Sequence, residues 1–349
     1  MKFLATGDLQ IHAWRQFAYT TKSGMNSRLR NCLRVLSFLR KTALERGINK
    51  ILLNGDILEE CDYIEIEVYD GLYTELERIR DSGIHTVINI GNHDVHSESG
   101  GRVLNSLRAL RGVATIVEEP TLVWGCVQVV PWCVSPDRLR ETIGNLKADR
   151  SRCLVLHYGV QGGVTGPKNY LLRSPVKLRD IRYKEFGLVL LSDYHTRQRL
   201  AKRPPVYYLG SPIQHSFGEI HRPCVWEIGV DRGGVFKTEK IFTSFPRFRR
   251  VRANDRSSLL EATRKYAADY VSITPVGTVL SEQDIRMVAK RVGFQYIINR
   301  APEEREDVQD SRSLNFKKAM KKYVSSNVKS EAQSGRLLRL GWKIFNGEL

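Results

Sequence analysis

Four short segments of the chain place potential metal ligands at the ends of predicted β-strands. They are GDLQIH (residues 7–12), NGDILE (54–59), GNHD (91–94) and LHYG (156–159). Each follows or ends a run of apolar, β-forming residues, so the strands are expected to deliver these side chains to one edge of a sheet. A fifth segment, SDYHT (192–196), adds Asp193 and His195 after the apolar run GLVLL. Carboxylate, amide and imidazole groups gathered at one edge suit divalent metal ions.

The order GD, GD, GNHD, H and a final x-H resembles that of the calcineurin-like metallophosphoesterases. A sixth segment, YLGSPIQHSFGE (208–219), resembles the GSP and FGE signature of the SbcD-type nucleases, the DNA-repair branch of that superfamily. The match covers the metal motifs in the first 200 residues and reaches about residue 230. It implies an α/β fold in which a two-sheet sandwich flanked by helices holds two divalent metal ions. A small α/β capping domain and C-terminal helices that bind a partner would follow the sandwich.

The resemblance also implies a set of metal ligands. Asp56 takes the bridging position between the two ions, because GD at a strand end is the bridging position of the family. Asp8 and His195 would hold the first metal, and Asn92 and His157 would hold the second. Asn92 fits because its amide carbonyl is a neutral oxygen ligand.

Two residues of the GNHD segment take catalytic roles by the same resemblance. His93 would contact the scissile phosphate, stabilise developing charge and protonate the leaving oxygen. Asp94 would orient either His93 or an adjacent backbone group, as carboxylates behind metal ligands do.

Three positions depart from the pattern of the family. The first motif normally reads Asp-x-His, but Gln10 stands at the histidine position and His12 follows two residues later. Because residues 8, 10 and 12 of an extended segment point to one side, either Gln10 or His12 can complete the first metal site, and Gln10 is the positional equivalent. Asp193 replaces a histidine of the closing motif, and a carboxylate there favours Mn²⁺ or Mg²⁺ over softer ions. Glu59 stands where the nuclease branch often has a second active-site histidine, which leaves exonuclease strength and polarity open.

The charge of the chain points to nucleic acid as a partner. Its 349 residues are 42% hydrophobic and 27% charged, which is ordinary for a globular protein and enough for a sizeable core. The net charge of +17 is not ordinary. A surplus of this size attracts polyanions and gives salt-dependent affinity for nucleic acid. The alternative is a solvated basic surface with no such partner.

Cysteine usage and hydropathy indicate a cytoplasmic protein. The six cysteines are scattered with no CxxC spacing, so they are expected to be reduced core residues. The N-terminus MKFLATGD runs directly into a metal motif, and we expect no signal peptide. No apolar stretch is long enough to span a bilayer. The setting we expect is a bacterial cell or a phage-infected host.

Apolar periodicity and turn residues predict the elements that position the motifs. Helices are predicted over residues 26–47, 64–80, 101–110 and 137–148. Strands are predicted within residues 113–131 and in PVYYLG, CVWEIGV and VFKTEKIF, the last two joined by a DRGG hairpin turn. Beyond residues 245–255, a helix (257–268), a strand (270–274), a helix (281–292) and a strand (294–299) form a small α/β unit.

The second predicted helix carries an apolar stripe with two possible uses. The stripe consists of Tyr69, Leu72, Leu76 and Ile79. In SbcD-type proteins the helices at this position pair across a two-fold axis, so the resemblance implies a homodimer. The alternative is ordinary packing of the helix on its own sheet.

The domain organisation that we expect has four parts. Residues 1–245 form the nuclease domain, 246–300 the DNA-capping domain, 301–313 an acidic linker and 314–349 the C-terminal helices. The capping domain would contact double-stranded DNA through Arg247, Arg249 and Arg250. The resemblance implies that the C-terminal helices grip the coiled coil of an SbcC-type, SMC-like ATPase, and the alternative is that they pack back on their own domain.

Three functions are compatible with these motifs. The first is a metal-dependent DNA nuclease subunit of an SbcCD-like repair or recombination complex, acting by a two-metal mechanism. The second is a phosphatase or cyclic-nucleotide phosphodiesterase on the same scaffold, which needs neither the basic surplus nor a partner-binding arm. The third is a DNA-binding scaffold without activity, favoured only by Gln10 and Asp193.

Overall fold

The computed structural model describes residues 1–97, 103–166, 170–276, 280–292 and 296–298, together with residues 324, 335, 337, 338 and 340. The chain divides into two compact units, Met1–Asn299 and Arg300–Leu349. Every helix and strand that can be bounded within these residues lies in the first unit.

The first unit alternates strands and helices along the chain. The strands are β1 (Lys2–Thr6), β2 (Lys50–Asn54), β3 (His85–Asn89), β4 (Val95–Ser97), β5 (Val103–Asn105), β6 (Thr115–Val117), β7 (Thr121–Val123), β8 (Val127–Val130), β9 (Cys153–His157), β10 (Val164–Thr165), β11 (Tyr170–Leu171), β12 (Leu188–Ser192), β13 (Gln198–Lys202), β14 (Pro205–Tyr208), β15 (Cys224–Val230), β16 (Phe236–Phe242), β17 (Phe248–Ala253), β18 (Tyr270–Pro275) and β19 (Tyr296–Ile298). The α-helices are α1 (Ser27–Glu45), α2 (Ile66–Asp81), α3 (Pro136–Gly144), α4 (Arg256–Lys265) and α5 (Glu282–Val292). Short 3-10 helices cover Ser106–Gly112, Leu178–Ile181 and Tyr183–Glu185.

Two six-stranded sheets form the body of this unit. Their strand orders are β16-β15-β1-β2-β3-β6 and β13-β14-β12-β9-β8-β7. The central strands run parallel in both sheets, with β1, β2, β3 and β6 in the first and β8, β9, β12 and β14 in the second. The carboxyl ends of parallel strands meet at one edge, so each sheet presents a row of strand ends there.

The alternation of side chains along the strands builds a core on each face of the sheets. In β2, Leu52 packs into the core between the two sheets, whereas Ile51 and Leu53 pack against the helices on the outer face. In β9, Val155 faces the inner core and Leu154 faces a third core on the outer side of the second sheet. The predicted α/β sandwich of two sheets flanked by helices is therefore confirmed.

The first two helices cover the outer face of the first sheet. The Asn26 side chain caps α1 by accepting from the backbone N–H groups of Arg28 and Leu29, as its position predicts. The stripe of α2 is buried in the same cluster as the core residues of α1, and Leu72, Leu76 and Ile79 are fully buried there. Tyr69 is partly buried against the same cluster. The stripe therefore packs within the chain, and the homodimer stays a prediction.

Two predicted elements differ in the structure. The helix predicted over residues 101–110 is instead β5 followed by the 3-10 helix Ser106–Gly112, because Val103–Asn105 pairs with β4 and the Asn105 side chain caps the turn at Leu107. Residues 101 and 102 lie outside the described part of the chain. The segment predicted as a domain boundary instead contains a strand, β17. Its sequence FRRVRA combines apolar and basic residues, and the strand pairs in parallel with β18.

The third sheet has the order β17-β18-β19 and packs against α4 and α5 around a core of its own. It belongs to the same compact unit as the sandwich. The interface between the third sheet and the sandwich is aromatic, since Phe17 packs with Phe248 and Tyr270 in a small apolar cluster. Asn31 of α1 donates to the Tyr270 hydroxyl across this interface at 2.8 Å. A domain boundary at residue 245 stays a prediction.

The predicted linker (301–313) and C-terminal helices (314–349) lie outside the described residues, apart from five isolated positions. No helix among the residues that the structure describes combines the length and the apolar character needed to cross a membrane.

We expect the core between the sheets to dominate the stability of the sandwich. Leu52 is fully buried there, so Leu52→Ala should lower the free energy of unfolding by about 2–5 kcal/mol through lost burial and the cavity left behind. Leu44→Ala is the matched control, because Leu44 of α1 is 52% exposed and its loss should cost about 0.5 kcal/mol or less. Urea unfolding followed by circular dichroism measures both, and equal losses would contradict the assigned core.

Candidate metal centre

The ends of three parallel strands bring Asp8, Asp56 and His157 together. Asp8 follows β1, Asp56 follows β2 and His157 ends β9. One ligand atom from each lies within 4.8 Å of the other two, and all three residues are buried. Two carboxylates and an imidazole at this spacing can hold a metal ion.

Three acidic residues that follow strands have a strained backbone conformation with positive φ. Asp8, Asp56 and Asp193 have φ values of 54°, 50° and 104°, in the left-handed region that favours glycine. Such conformations cost on the order of 1–3 kcal/mol each and persist only where surrounding contacts hold them. Here the Asp8 N–H donates to the Gly55 carbonyl at 3.0 Å, and the Asp193 N–H donates to Asp8 Oδ1 at 3.0 Å. The hydrogen bonds between neighbouring strand ends therefore lock the carboxylates in place.

The glycines of the motifs are needed because the strand ends approach closely. A Cβ on Gly55 would collide with the His157 ring, and a Cβ on Gly91 would collide with the Asp56 carboxylate and backbone. Gly55 also has a φ of 79°. The glycine before each ligand is thus a packing requirement of the cluster.

His157 is oriented for metal binding by its own backbone contact. Its Nδ1 lies 2.8 Å from the Asn54 carbonyl, to which it donates, and its Nε2 lies 3.2 Å from Asp56 Oδ1. Burial alone would lower the pKa of His157, but the nearby Asp56 carboxylate raises it well above the usual range. The pair thus needs positive charge at Nε2, and either a proton or a metal ion can supply it.

Unpartnered buried atoms show that the site fits a cation. Asp8 Oδ2 and Asn92 Oδ1 are buried without a hydrogen-bond partner, and His157 Nε2 has only its 3.2 Å approach to Asp56 Oδ1. Most buried polar atoms in folded proteins have partners, so two unpartnered oxygens on predicted ligands require an explanation. These oxygens and the imidazole nitrogen are atoms through which such side chains bind divalent metal ions, and a bound cation would satisfy them.

Asp193 and His195 border the same cluster. Burial raises the pKa of Asp8 to about 6, and attraction to His157 and His195 opposes that rise, so both histidines lie within electrostatic range of it. His195 Nδ1 lies 2.9 Å from Glu219 Oε1. Although burial alone would lower the pKa of His195, this hydrogen bond raises it to about 9. Burial also raises the pKa of Asp193.

The geometry separates the two candidates for the remaining ligand of the first metal. Asp8 and Gln10 both have positive φ values, so residues 8–12 are not extended and the alternation predicted for them is wrong. Gln10 is buried, and its N–H donates to the Asp56 carbonyl at 2.9 Å. The His12 ring instead packs edge-on against Trp14, with the ring centres 5.2 Å apart. This arrangement favours Gln10.

His93 stands at the rim of the cluster. Its side chain is 36% exposed, and Nε2 lies 3.9 Å from Asp56 Oδ2. Its Nδ1 lies 2.7 Å from the Glu59 carbonyl, which fixes the ring orientation. Burial alone would lower the pKa of His93, but attraction to Asp56 and the contact with Glu59 raise it. The ring is therefore held with Nε2 toward the Asp56 carboxylate.

Of the two roles predicted for Asp94, the structure shows the backbone one. Its carboxylate accepts from the N–H groups of Ile57 and Leu58 at 2.9 and 3.1 Å, and from Gly91 at 2.9 Å. Burial, and next the nearby Asp56, raise its pKa to about 7. Asp94 therefore ties the loop after β2 to the loop after β3 and makes no hydrogen bond to the His93 ring.

Sequence reasoning missed the polar residues that support the ligands. Asn54 donates to the Leu156 carbonyl and to Ser192 Oγ in the second sheet, and it accepts from Asn89. Asn54 and Asn89 each end a buried apolar strand directly before a motif, and that position is the signal which could have identified them. Glu219, which holds His195, lay inside the quoted FGE signature without an assigned role.

The three arginines predicted to bind DNA lie on or beside β17, and each has a local partner. Arg247 reaches the carbonyls of Ile220 and His221, Arg249 pairs with Asp269 at 2.8 Å, and Arg250 donates to the Phe217 carbonyl at 2.9 Å. Arg247 and Arg250 thus contact the segment that carries Glu219, and the predicted contact of all three arginines with DNA stays untested.

We expect metal affinity to rise with pH. Below about pH 6, the proton on Asp8 competes with the cation, and the proton that Asp56 favours on His157 competes over a wider range. The dissociation constant for Mn²⁺, measured by isothermal titration calorimetry between about pH 5 and about pH 8, should therefore be largest at the acidic end. Asp8→Asn should bind more weakly and lose the steepest part of this dependence. An affinity that is equal at both ends would contradict the assigned cluster.

The choice between Gln10 and His12 can be tested by substitution. Gln10→Ala should weaken Mn²⁺ binding roughly tenfold, because it removes a side chain at the metal centre. His12→Ala is the matched control and should change the affinity by no more than about twofold. Calorimetry on both variants decides the question, and the reverse pattern would make His12 the ligand.

No protein-family model matches the chain, and no curated protein matches it either. Among solved structures, a dimetal phosphatase from Danio rerio is 11% identical with a TM-score of 0.38, covering 70% of this chain and 99% of its own. The nuclease MPE from Pseudomonas putida is 11% identical with a TM-score of 0.28, covering 68% of this chain and 87% of its own. Likenesses this slight carry no conclusion about function.

Proposed function

We propose that the chain is a metal-dependent DNA nuclease that hydrolyses phosphodiester bonds at the cluster of Asp8, Asp56 and His157. The observation that carries this proposal is the cluster of Asp8, Asp56 and His157 at the strand ends, with unpartnered buried oxygens on Asp8 and Asn92. Asp8 and Asp56, each directly after a glycine, have strained backbone conformations, which is typical of a functional site.

The proposed site binds two divalent ions, Mn²⁺ or Mg²⁺, with Asp56 between them. Asp8, Gln10, Asp193 and His195 would hold one ion, and Asn92 and His157 the other. When bound, the ions supply the charge neutralisation and the activation of water that phosphodiester hydrolysis needs at neutral pH. Hard oxygen ligands dominate this set, which favours Mn²⁺ or Mg²⁺ over softer metals.

His93 would act on the substrate. Its Nδ1 contact with the Glu59 carbonyl leaves Nε2 free, and the exposed side chain can meet a phosphate that enters the site. Because Asp56 raises its pKa, the ring holds a proton more readily than a free histidine does. A protonated Nε2 can stabilise the phosphoryl oxygens and give its proton to the leaving oxygen.

The distribution of charge supports a polyanionic substrate. The whole chain carries a net charge of +17. An open cleft of ≈ 300 Å³ beside His93 is lined by Glu59, Glu60 and Asp62, which repel phosphate. A separate pocket is lined by Glu219 together with Arg247, Arg249 and Arg250. DNA would therefore approach from the arginine side.

The finer assignment also belongs to this proposal. An SbcD-type role, a homodimer and an SMC-like ATPase partner would place the chain in a DNA repair or recombination complex. The segment expected to bind the ATPase (314–349) lies outside the described residues apart from isolated positions. Leu72, Leu76 and Ile79 of α2 are buried in the core of their own chain, so a dimer surface on α2 would have to use its exposed residues, such as Ile66 and Tyr73.

The direct test is the digestion of end-labelled linear duplex DNA in Mn²⁺. The wild type should cleave, EDTA should abolish cleavage, and His93→Ala should reduce the rate roughly 10²–10⁴-fold while keeping Mn²⁺ affinity. His85→Ala is the matched control, since His85 is an exposed histidine that contacts Thr115 away from the centre. It should cleave at the wild-type rate.

Other outcomes select the other functions. Hydrolysis of p-nitrophenyl phosphate or cyclic nucleotides without cleavage of DNA would identify a phosphatase or cyclic-nucleotide phosphodiesterase. DNA binding without cleavage, in folded protein shown to bind Mn²⁺, would identify an inactive scaffold. Loss of Mn²⁺ binding in His93→Ala would make His93 a ligand.

A further inference from the structure

A second pocket lies between the third sheet and the segment that carries Glu219. It measures ≈ 270 Å³, near the lower end of the ~300–1,000 Å³ typical of small-ligand sites. Its walls carry three arginines and three aromatic rings. They are Arg247, Arg249, Arg250, Phe217, Phe248 and Tyr266. A pocket of this size is too small to enclose a duplex.

Positive charge in this pocket exceeds the negative charge that faces it. Asp269 is shared, since it accepts from Arg249 Nε at 2.8 Å and from the Arg247 backbone at 2.8 Å. Burial lowers the pKa of Arg247, and the neighbouring Arg249 lowers it further. Arg247 Nε is buried with no hydrogen-bond partner. An anion such as a phosphate group would neutralise part of this positive charge and would accept a hydrogen bond from Arg247 Nε.

The aromatic rings offer flat surfaces next to this charge. The Arg249 guanidinium lies 5.3 Å from the centre of the Tyr266 ring, and the Arg250 guanidinium lies 5.3 Å from the centre of the Phe217 ring. Arg250 is exposed, and Tyr266 and Phe217 are partly exposed. Alternating guanidinium and aromatic planes are the surfaces on which unpaired bases stack.

The pocket adjoins the metal centre through one side chain. Glu219 lines the pocket, and its Oε1 lies 2.9 Å from Nδ1 of the metal-site residue His195. The oxygens of Glu219 are occupied by His195, by Ser211 and by the His215 N–H. Its charge is therefore directed toward the metal centre, and the arginines dominate the pocket.

We propose that this pocket binds one unpaired nucleotide at a strand end, with its phosphate on the arginines and its base stacked on Tyr266. The inference rests on the proposed nuclease function and deepens it, because it names the substrate feature that the site prefers. A duplex with a short single-stranded tail should bind more tightly than a blunt duplex, since only the tail can place a base in the pocket.

The test measures fluorescence anisotropy of labelled tailed and blunt duplexes in EDTA, so that binding is separated from cleavage. The wild type should prefer the tailed duplex roughly 5- to 150-fold, the range expected for one stacked base. Tyr266→Leu keeps apolar bulk but removes the flat ring, and it should lose the preference. Tyr266→Phe should keep it, and Tyr73→Ala, which removes an exposed tyrosine of α2, should leave it unchanged.

Several results would overturn the inference. They are equal binding of both duplexes by the wild type, a preference that survives Tyr266→Leu, and competition by thymidine monophosphate without any preference for tails. The last would make the pocket a mononucleotide site. If the wild type cleaves blunt duplex in Mn²⁺, any of these results would overturn only the nucleotide pocket and not the nuclease function. If the wild type neither binds nor cleaves DNA, both proposals are wrong.

Discussion

The structure depends on a concentration of buried negative charge at the ends of its parallel strands. Asp8, Asp56 and Asp94 are all buried within one small region, and burial raises the pKa of Asp8 and Asp94 toward neutrality. His157 and the backbone N–H groups offset only part of this charge. Carboxylates kept so close together are costly unless a cation joins them, so the architecture makes sense as a scaffold for metal ions.

The rest of the sandwich holds that costly cluster in place. The side chains of Asn54 and Asn89 cross from the first sheet to carbonyls of the second at 2.9 and 3.1 Å. Asp94 ties together the loops after β2 and β3. These hydrogen bonds belong to a rigid, closely packed core, which can hold the three acidic residues in strained backbone conformations. Part of the stability of the sandwich therefore offsets the strain at the ligands.

The third sheet is connected to the metal centre through the segment of residues 217–221. Its arginines contact the segment of residues 217–221, and that segment supplies Glu219 to His195. Aromatic contacts join the same sheet to α1 and to the loop after β1. Glu59, Glu60 and Asp62 line the separate cleft beside His93.

Strand periodicity was enough to predict the strands and the polar residues at their ends, because that pattern is local and parallel strands bring their carboxyl ends together. The two-sheet sandwich and the set of ligands were implied by the resemblance of the motifs to a known family. Tertiary structure alone decided which residues support that cluster. The positive φ values of Asp8 and Gln10, which no local pattern reveals, remove the predicted alternation of residues 8–12, and β17 lay in a segment that was predicted to be a domain boundary. Glu219 meets His195 from 24 residues away, and the α2 stripe finds its partner in α1. Contacts between residues that are distant in sequence depend on how the elements pack, and local sequence patterns do not reveal that packing.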